Sequence, residues 1–139
     1  MRILLIESDA LTLEVIRSYL EFYIPDLTLL TTTLGVEGIR ICKHGSPDLI
    51  ILDIDLPDSD GAQVLGTIRD TSDIPIIVIC STTDDEIMGH LLKTGADEVI
   101  AQPFNAADLL SCIAGSLKKR GIKPVFRFDP PYQSGVIQQ

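Results

Sequence analysis

Five short apolar runs recur along the chain, each followed by a stretch with helical spacing, and this alternation limits the fold more than any other feature. The runs cover residues 3–6, 27–30, 49–52, 76–79 and, more weakly, 99–101. Three are nearly continuous rather than alternating, as parallel strands buried on both faces require. Between them, Leu11, Val15, Ile16, Tyr19, Leu20 and Tyr23 form a helical stripe closed by Pro25. Val64, Leu65 and Ile68 form a second, Ile87, Met88, Leu91 and Leu92 a third, and Leu109, Leu110, Ile113 and Leu117 a fourth. Residues 36–44 predict a poorer helix, with Gly38 inside it and Gly45 after it. The pairs Asp60-x-x-Gln63, Thr83-x-x-Glu86 and Asn105-x-x-Asp108 have capping-box spacing and mark helix starts.

Strict β–α alternation predicts a doubly wound α/β fold with right-handed crossovers. The flavodoxin-like arrangement, a five-stranded parallel sheet of order 2-1-3-4-5 with five helices, is the common solution. It places a site where the carboxyl ends of strands 1 and 3 meet. A length of 139 residues suits one domain. The net charge of −9 excludes a generic nucleic-acid binder, whose affinity rests on cations. Residues 1–117 carry six basic and nineteen acidic groups, whereas residues 118–139 carry five basic groups against Asp129. Cys42, Cys80 and Cys112 are scattered and odd in number, so reduced thiols are expected rather than disulfides or a zinc site. The apolar start is too short for a signal peptide, and no stretch approaches the ~20 residues that span a bilayer. A soluble cytoplasmic protein with no membrane association is expected.

Strand 1 ends in Glu7-Ser8-Asp9 and strand 3 in Asp53-Ile54-Asp55. The switch-point rule brings Glu7 and Asp53 together. Clustered carboxylates repel one another unless a cation intervenes, and a hard ion such as Mg²⁺ suits one or two carboxylates with water and phosphate. A carboxylate beside Mg²⁺ can attack a phosphoryl group and form an acyl phosphate. The bland alternative is helix capping, which is the expectation for Asp9 and Asp60.

Residues 47–61, Pro-Asp-Leu-Ile-Ile-Leu-Asp-Ile-Asp-Leu-Pro-Asp-Ser-Asp-Gly, resemble the phosphoacceptor strand and loop of the response-regulator receiver family. Residues 74–79 resemble its fourth strand, and residues 95–104 its fifth strand and following turn. The likeness runs in register from residue 1 to about 119. It implies that Asp53 takes phosphate from a sensor histidine kinase and that Asp55 offers its backbone carbonyl to Mg²⁺. It also implies a cis bond at Gln102-Pro103. Four positions depart from the pattern. One acid of the strand-1 pair falls on Ser8, the hydroxyl of strand 4 on Cys80, the strand-5 lysine on Gln102 and the aromatic switch residue on Val99. A lost carboxylate weakens the metal site, glutamine cannot neutralise a phosphoryl oxygen, and a thiol is a poor donor. Ser81 or Thr82 would replace Cys80 if the loop turns differently.

Two readings therefore stand: a phosphorylated receiver with altered chemistry, or a pseudo-receiver acting through its surface alone. Asp53-x-Asp55 also resembles the acid pair of haloacid-dehalogenase-type phosphatases, but Leu56-Pro57 follows it and Gln102 supplies neither their lysine nor their later acid. A flavin or dinucleotide module would need a glycine-rich cradle after strand 1, where Glu7-Ser8-Asp9 repels phosphate. Neither His44 nor His90 is marked as a phosphohistidine; surface or helix-end positions are expected. The resemblance implies a homodimer through helix 4, strand 5 and helix 5. Lys93, Asp97 and Asp108 match parts of the ionic pattern of winged-helix members, whereas its helix-5 arginine falls on Cys112, and solvated surface charges worth little are the bland alternative. Residues 118–120 are a basic helix end. Residues 120–139 read as a linker or the start of an effector, which would put DNA binding beyond Gln139, with a partner-binding tail or disorder as alternatives.

Overall fold

The computed structural model describes residues 1–128; the rest of the expected linker, residues 129–139, lies outside the described residues. Five strands alternate with five helices: β1 (Arg2–Ile6), α1 (Ala10–Tyr23), β2 (Thr28–Thr32), α2 (Gly35–Gly45), β3 (Leu49–Asp53), α3 (Gly61–Arg69), β4 (Ile76–Cys80), α4 (Asp85–Thr94), β5 (Glu98–Ala101) and α5 (Ala106–Lys118). The strands pair in parallel in the order β2-β1-β3-β4-β5, as the alternation predicts.

Continuous apolar runs fill both faces of the sheet. Ile3, Leu5, Leu49, Ile51, Ile77 and Ile79 point to one side and pack with Ile16 and Leu20 of α1 and with Leu109, Leu110, Ile113 and Leu117 of α5. Their neighbours Leu4, Ile6, Ile50, Leu52, Ile76 and Val78 point to the other, against Val64, Leu65 and Ile68 of α3 and Leu91 of α4. All of these side chains are buried. Successive strand residues face opposite ways, so only an unbroken run can serve two cores at once.

Three local expectations shift or sharpen. The second strand lies at Thr28–Thr32, not at residues 27–30, because this edge strand is only partly buried and accepts β-branched threonines that a search for apolar runs passes over. Helix α4 is capped by Asp84, whose carboxylate accepts from the Glu86 and Ile87 amides, and not by Thr83. Asp60 caps α3 through the Ala62 amide, while Asn105 and Asp108 form a reciprocal capping box on α5. Helix α2 does form despite its glycines. A Cβ on Gly38 would collide with the Ile6 side chain, so this glycine lets α2 approach β1 closely. Among the described residues, no helix is long and apolar enough to cross a membrane.

Candidate functional site

Glu7 directly follows β1 and Asp53 ends β3; because these strands are neighbours, the two carboxyls meet. Glu7 is completely buried and Asp53 is 8% exposed. One Glu7 oxygen, Oε2, accepts from the Asp9 amide at 3.1 Å, while Oε1 is buried without a hydrogen-bond donor. Burial, followed by the close approach of the Asp53 carboxyl and its charge, pushes the Glu7 carboxyl up to about 8. An unsatisfied carboxylate oxygen beside a second carboxylate is what a divalent cation would relieve, so these residues fit Mg²⁺.

The surrounding loop is held by its own polar groups. Asp53 Oδ1 accepts from the Asp55 amide at 2.8 Å. The Ser8 hydroxyl donates to the Asp55 carbonyl at a long 3.4 Å, so the serine touches the backbone group that the resemblance assigns to the metal. Asp55 extends outward, where its Oδ2 accepts from the Ser81 hydroxyl at 3.3 Å. It also bridges to Asp60 across the loop.

Cys80 is buried, and its thiol donates to the Thr82 carbonyl at 3.3 Å and to the Ile100 carbonyl at 3.8 Å. Burial raises the Cys80 thiol above its usual range, so it stays neutral. Of the two hydroxyl alternatives, Ser81 is the one that reaches an acid of the site. Gln102 follows β5, its backbone N–H donating to the Cys80 carbonyl at 2.8 Å, and its bond to Pro103 is cis. With Leu11, Thr12, Val15, Ser81, Pro103 and Phe104 it lines a groove of about 490 Å³ between α1 and the β5–α5 turn. Val99 is half-buried on the α3–α4 side of β5. His44 and His90 are exposed on α2 and α4.

Of the three ionic candidates, Asp97 faces the interior of its own chain. It is buried and paired within the chain, to Arg69 at 3.2 Å and Arg120 at 2.8 Å, and it accepts from the Ile76 amide at 2.7 Å. Of the other two ionic candidates, Lys93 is exposed on α4 and Asp108 belongs to the α5 capping box. Sequence reasoning also misses Asp58. Its carboxylate accepts from the Gly35 and Val36 amides at 2.8 and 3.1 Å and caps α2 from the β3–α3 loop. No local signal marks this cap, because donor and acceptor are distant in sequence.

The family model of the response regulator receiver domain matches residues 3–114. The cell cycle transcriptional regulator CtrA of Caulobacter vibrioides is 32% identical over 120 residues, which make up 86% of this chain and 51% of that protein. An uncharacterized transcriptional regulatory protein of Bacillus subtilis, YcbL, is 38% identical over 85 residues, 61% of this chain and 38% of that protein. The chain thus spans about half, or less, of these curated relatives. The BeF3-activated receiver domain of Klebsiella pneumoniae RstA superposes with a TM-score of 0.75 at 26% identity, covering 81% of this chain and 95% of that one. A CheY-like receiver domain protein from Methanospirillum hungatei gives 0.77 at 26% identity, covering 86% and 95%. With the sheet order and the paired carboxyls at its switch point already in place, the match over most of its length means that this chain belongs to the response-regulator receiver domain family.

Proposed function

We propose that Asp53 accepts a phosphoryl group from a sensor histidine kinase and that the receiver passes the signal on through a change of its surface. The observation that carries this reading is the buried Glu7–Asp53 pair with its unsatisfied oxygen, set where the strand order reverses. Asp53 Oδ1 is held by the Asp55 amide, which leaves Oδ2 to attack. The Oδ2–phosphorus bond forms as the bond from phosphorus to the donor's imidazole nitrogen breaks, and the electron pair of that bond returns to the ring. Mg²⁺, when bound by Glu7, Asp53 and the Asp55 carbonyl, supplies the positive charge that the transferred group needs. Ser8 contributes only a hydroxyl to that set. Gln102 can donate a hydrogen bond to a phosphoryl oxygen but brings no charge. Cys80, whose thiol is engaged by main-chain carbonyls, leaves the hydroxyl role to Ser81. The apolar groove of Leu11, Val15 and Phe104 beside Gln102 suits a kinase segment delivering its phosphohistidine.

In this reading residues 1–119 carry the receiver function, the three free thiols suit a reducing cytoplasm, and a DNA-binding effector would lie beyond Gln139. Incubation with Mg²⁺ and acetyl phosphate is expected to add one phosphate by intact mass, and none to Asp53→Asn. Persistently unmodified protein would select the second reading, a pseudo-receiver, which the uncharged Ser8 and Gln102 favour.

A further inference from the structure

We propose that residues 122–128 form a strap of the receiver fold, which runs from the end of α5 to the end of α1 and ties the two helix ends together. Both helices pack on one face of the sheet, and both finish at the edge opposite the carboxylates.

The reason for a strap is visible in α1. The last four carbonyls of a helix have no partner within it. Here the last turn of α1 holds no basic residue, and the extended Ile24 follows in place of a glycine cap. The strap supplies a donor from outside: the Arg127 amide bonds to the Tyr23 carbonyl at 2.6 Å. Phe126 packs against the core cluster shared by α1 and α5. Phe128 lies beside Phe22 with ring centroids 5.3 Å apart, and Phe22 stands edge-on to Tyr23 at 4.9 Å.

The other end of the strap is pinned as well. The Ile122 amide bonds to the Leu117 carbonyl at 3.0 Å, closing α5. Arg120, two residues earlier, is held by Asp97 and donates to the Asp73 carbonyl at 2.7 Å. A segment tied at its start, packed by an aromatic ring and hydrogen-bonded near its end is part of the folded unit. Phe128 is thereby held at the end of α1 rather than at the end of α5.

Hydrogen exchange on the full chain, resolved at the Arg127 amide, tests this independently of any phosphorylation. The wild type is expected to protect that amide at least ~10-fold over the unstructured rate, and Phe126→Ala to lose the protection. Trypsin cleavage after Arg127 is expected to accelerate by a similar factor in Phe126→Ala and little in Phe126→Leu, which keeps an apolar side chain in the contact. Arg127→Pro, which deletes the donor and keeps Phe126, is expected to lower Tm by roughly 2–4 °C. An Arg127 amide that exchanges freely in the wild type, or a Phe126→Ala chain cleaved no faster than its parent, overturns the strap.

Discussion

A carboxyl buried with one oxygen unsatisfied destabilises a fold, and Glu7 is where this chain carries that burden. Its folded value of about 8 lies above the ordinary 4.5. Between those two values the folded state binds more protons than the unfolded one, so in metal-free buffer stability falls as pH rises through the window. The slope for this one group is at most about 1.4 kcal/mol per pH unit. Glu7→Gln is expected to flatten that dependence and to raise stability at pH 8, as read from urea unfolding at pH 5, 6.5 and 8; an unchanged slope would contradict it. In the proposed Mg²⁺ site the neighbouring serine brings a hydroxyl where a second carboxylate would add charge. Ser8→Asp restores a second carboxylate beside Glu7 and is expected to tighten Mg²⁺ binding about tenfold or more, measured by calorimetry. The acids themselves are legible in the sequence, because each closes a buried apolar run. The Ser8 contact with the Asp55 carbonyl is not, since it depends on how a loop folds back and leaves no spacing rule behind.

Helices carry the same contrast between local and distant signals. The Asn105–Asp108 box is readable because both partners sit within one turn. Helix α2 has no side-chain cap of its own at Leu34 and takes Asp58 from the loop that follows β3. The two amides of Gly35 and Val36, donating to it, hold the Asp58 carboxyl below its usual range. Asp58→Ala is expected to lower the midpoint of chemical denaturation and to speed exchange of the Gly35 and Val36 amides, with α5 unaffected. The same loop constrains α3. A Cβ on Gly61 would collide with the Ile54 backbone, a clash that no flexible side chain can relieve. Gly61→Ala is therefore expected to displace the segment between Asp53 and Asp60, lowering Tm and acetyl-phosphate labelling together. Labelling retained at the parental rate would show that the loop has room.

At the scale of the molecule, the alternation of runs determines sheet order and the location of the site, because a parallel sheet with two covered faces admits few other solutions. The charge pattern is harder to read. Asp97 occupies a sequence position that suggests a partner contact, yet the fold turns it inward to join three elements. Arg69 of α3 reaches it while also donating to the Gly95, Ser72 and Ile74 carbonyls, and Arg120 reaches it from beyond α5. Such a junction forms only once the chain has closed, so no spacing in the sequence announces it. Removing one member of a buried ion cluster leaves uncompensated charge. Asp97→Ala is expected to cost about 3–5 kcal/mol in urea unfolding, and Asp97→Asn less, since the amide oxygen can still accept from Ile76. The partly exposed Glu98–Lys119 pair serves as the comparison, because ion pairs in contact with solvent contribute about 0–1 kcal/mol. Because Asp97 faces inward, Asp97→Asn is expected to leave the oligomeric state unchanged by light scattering while stability falls. A variant that dissociated an assembly at undiminished stability would instead place this carboxylate on an interface.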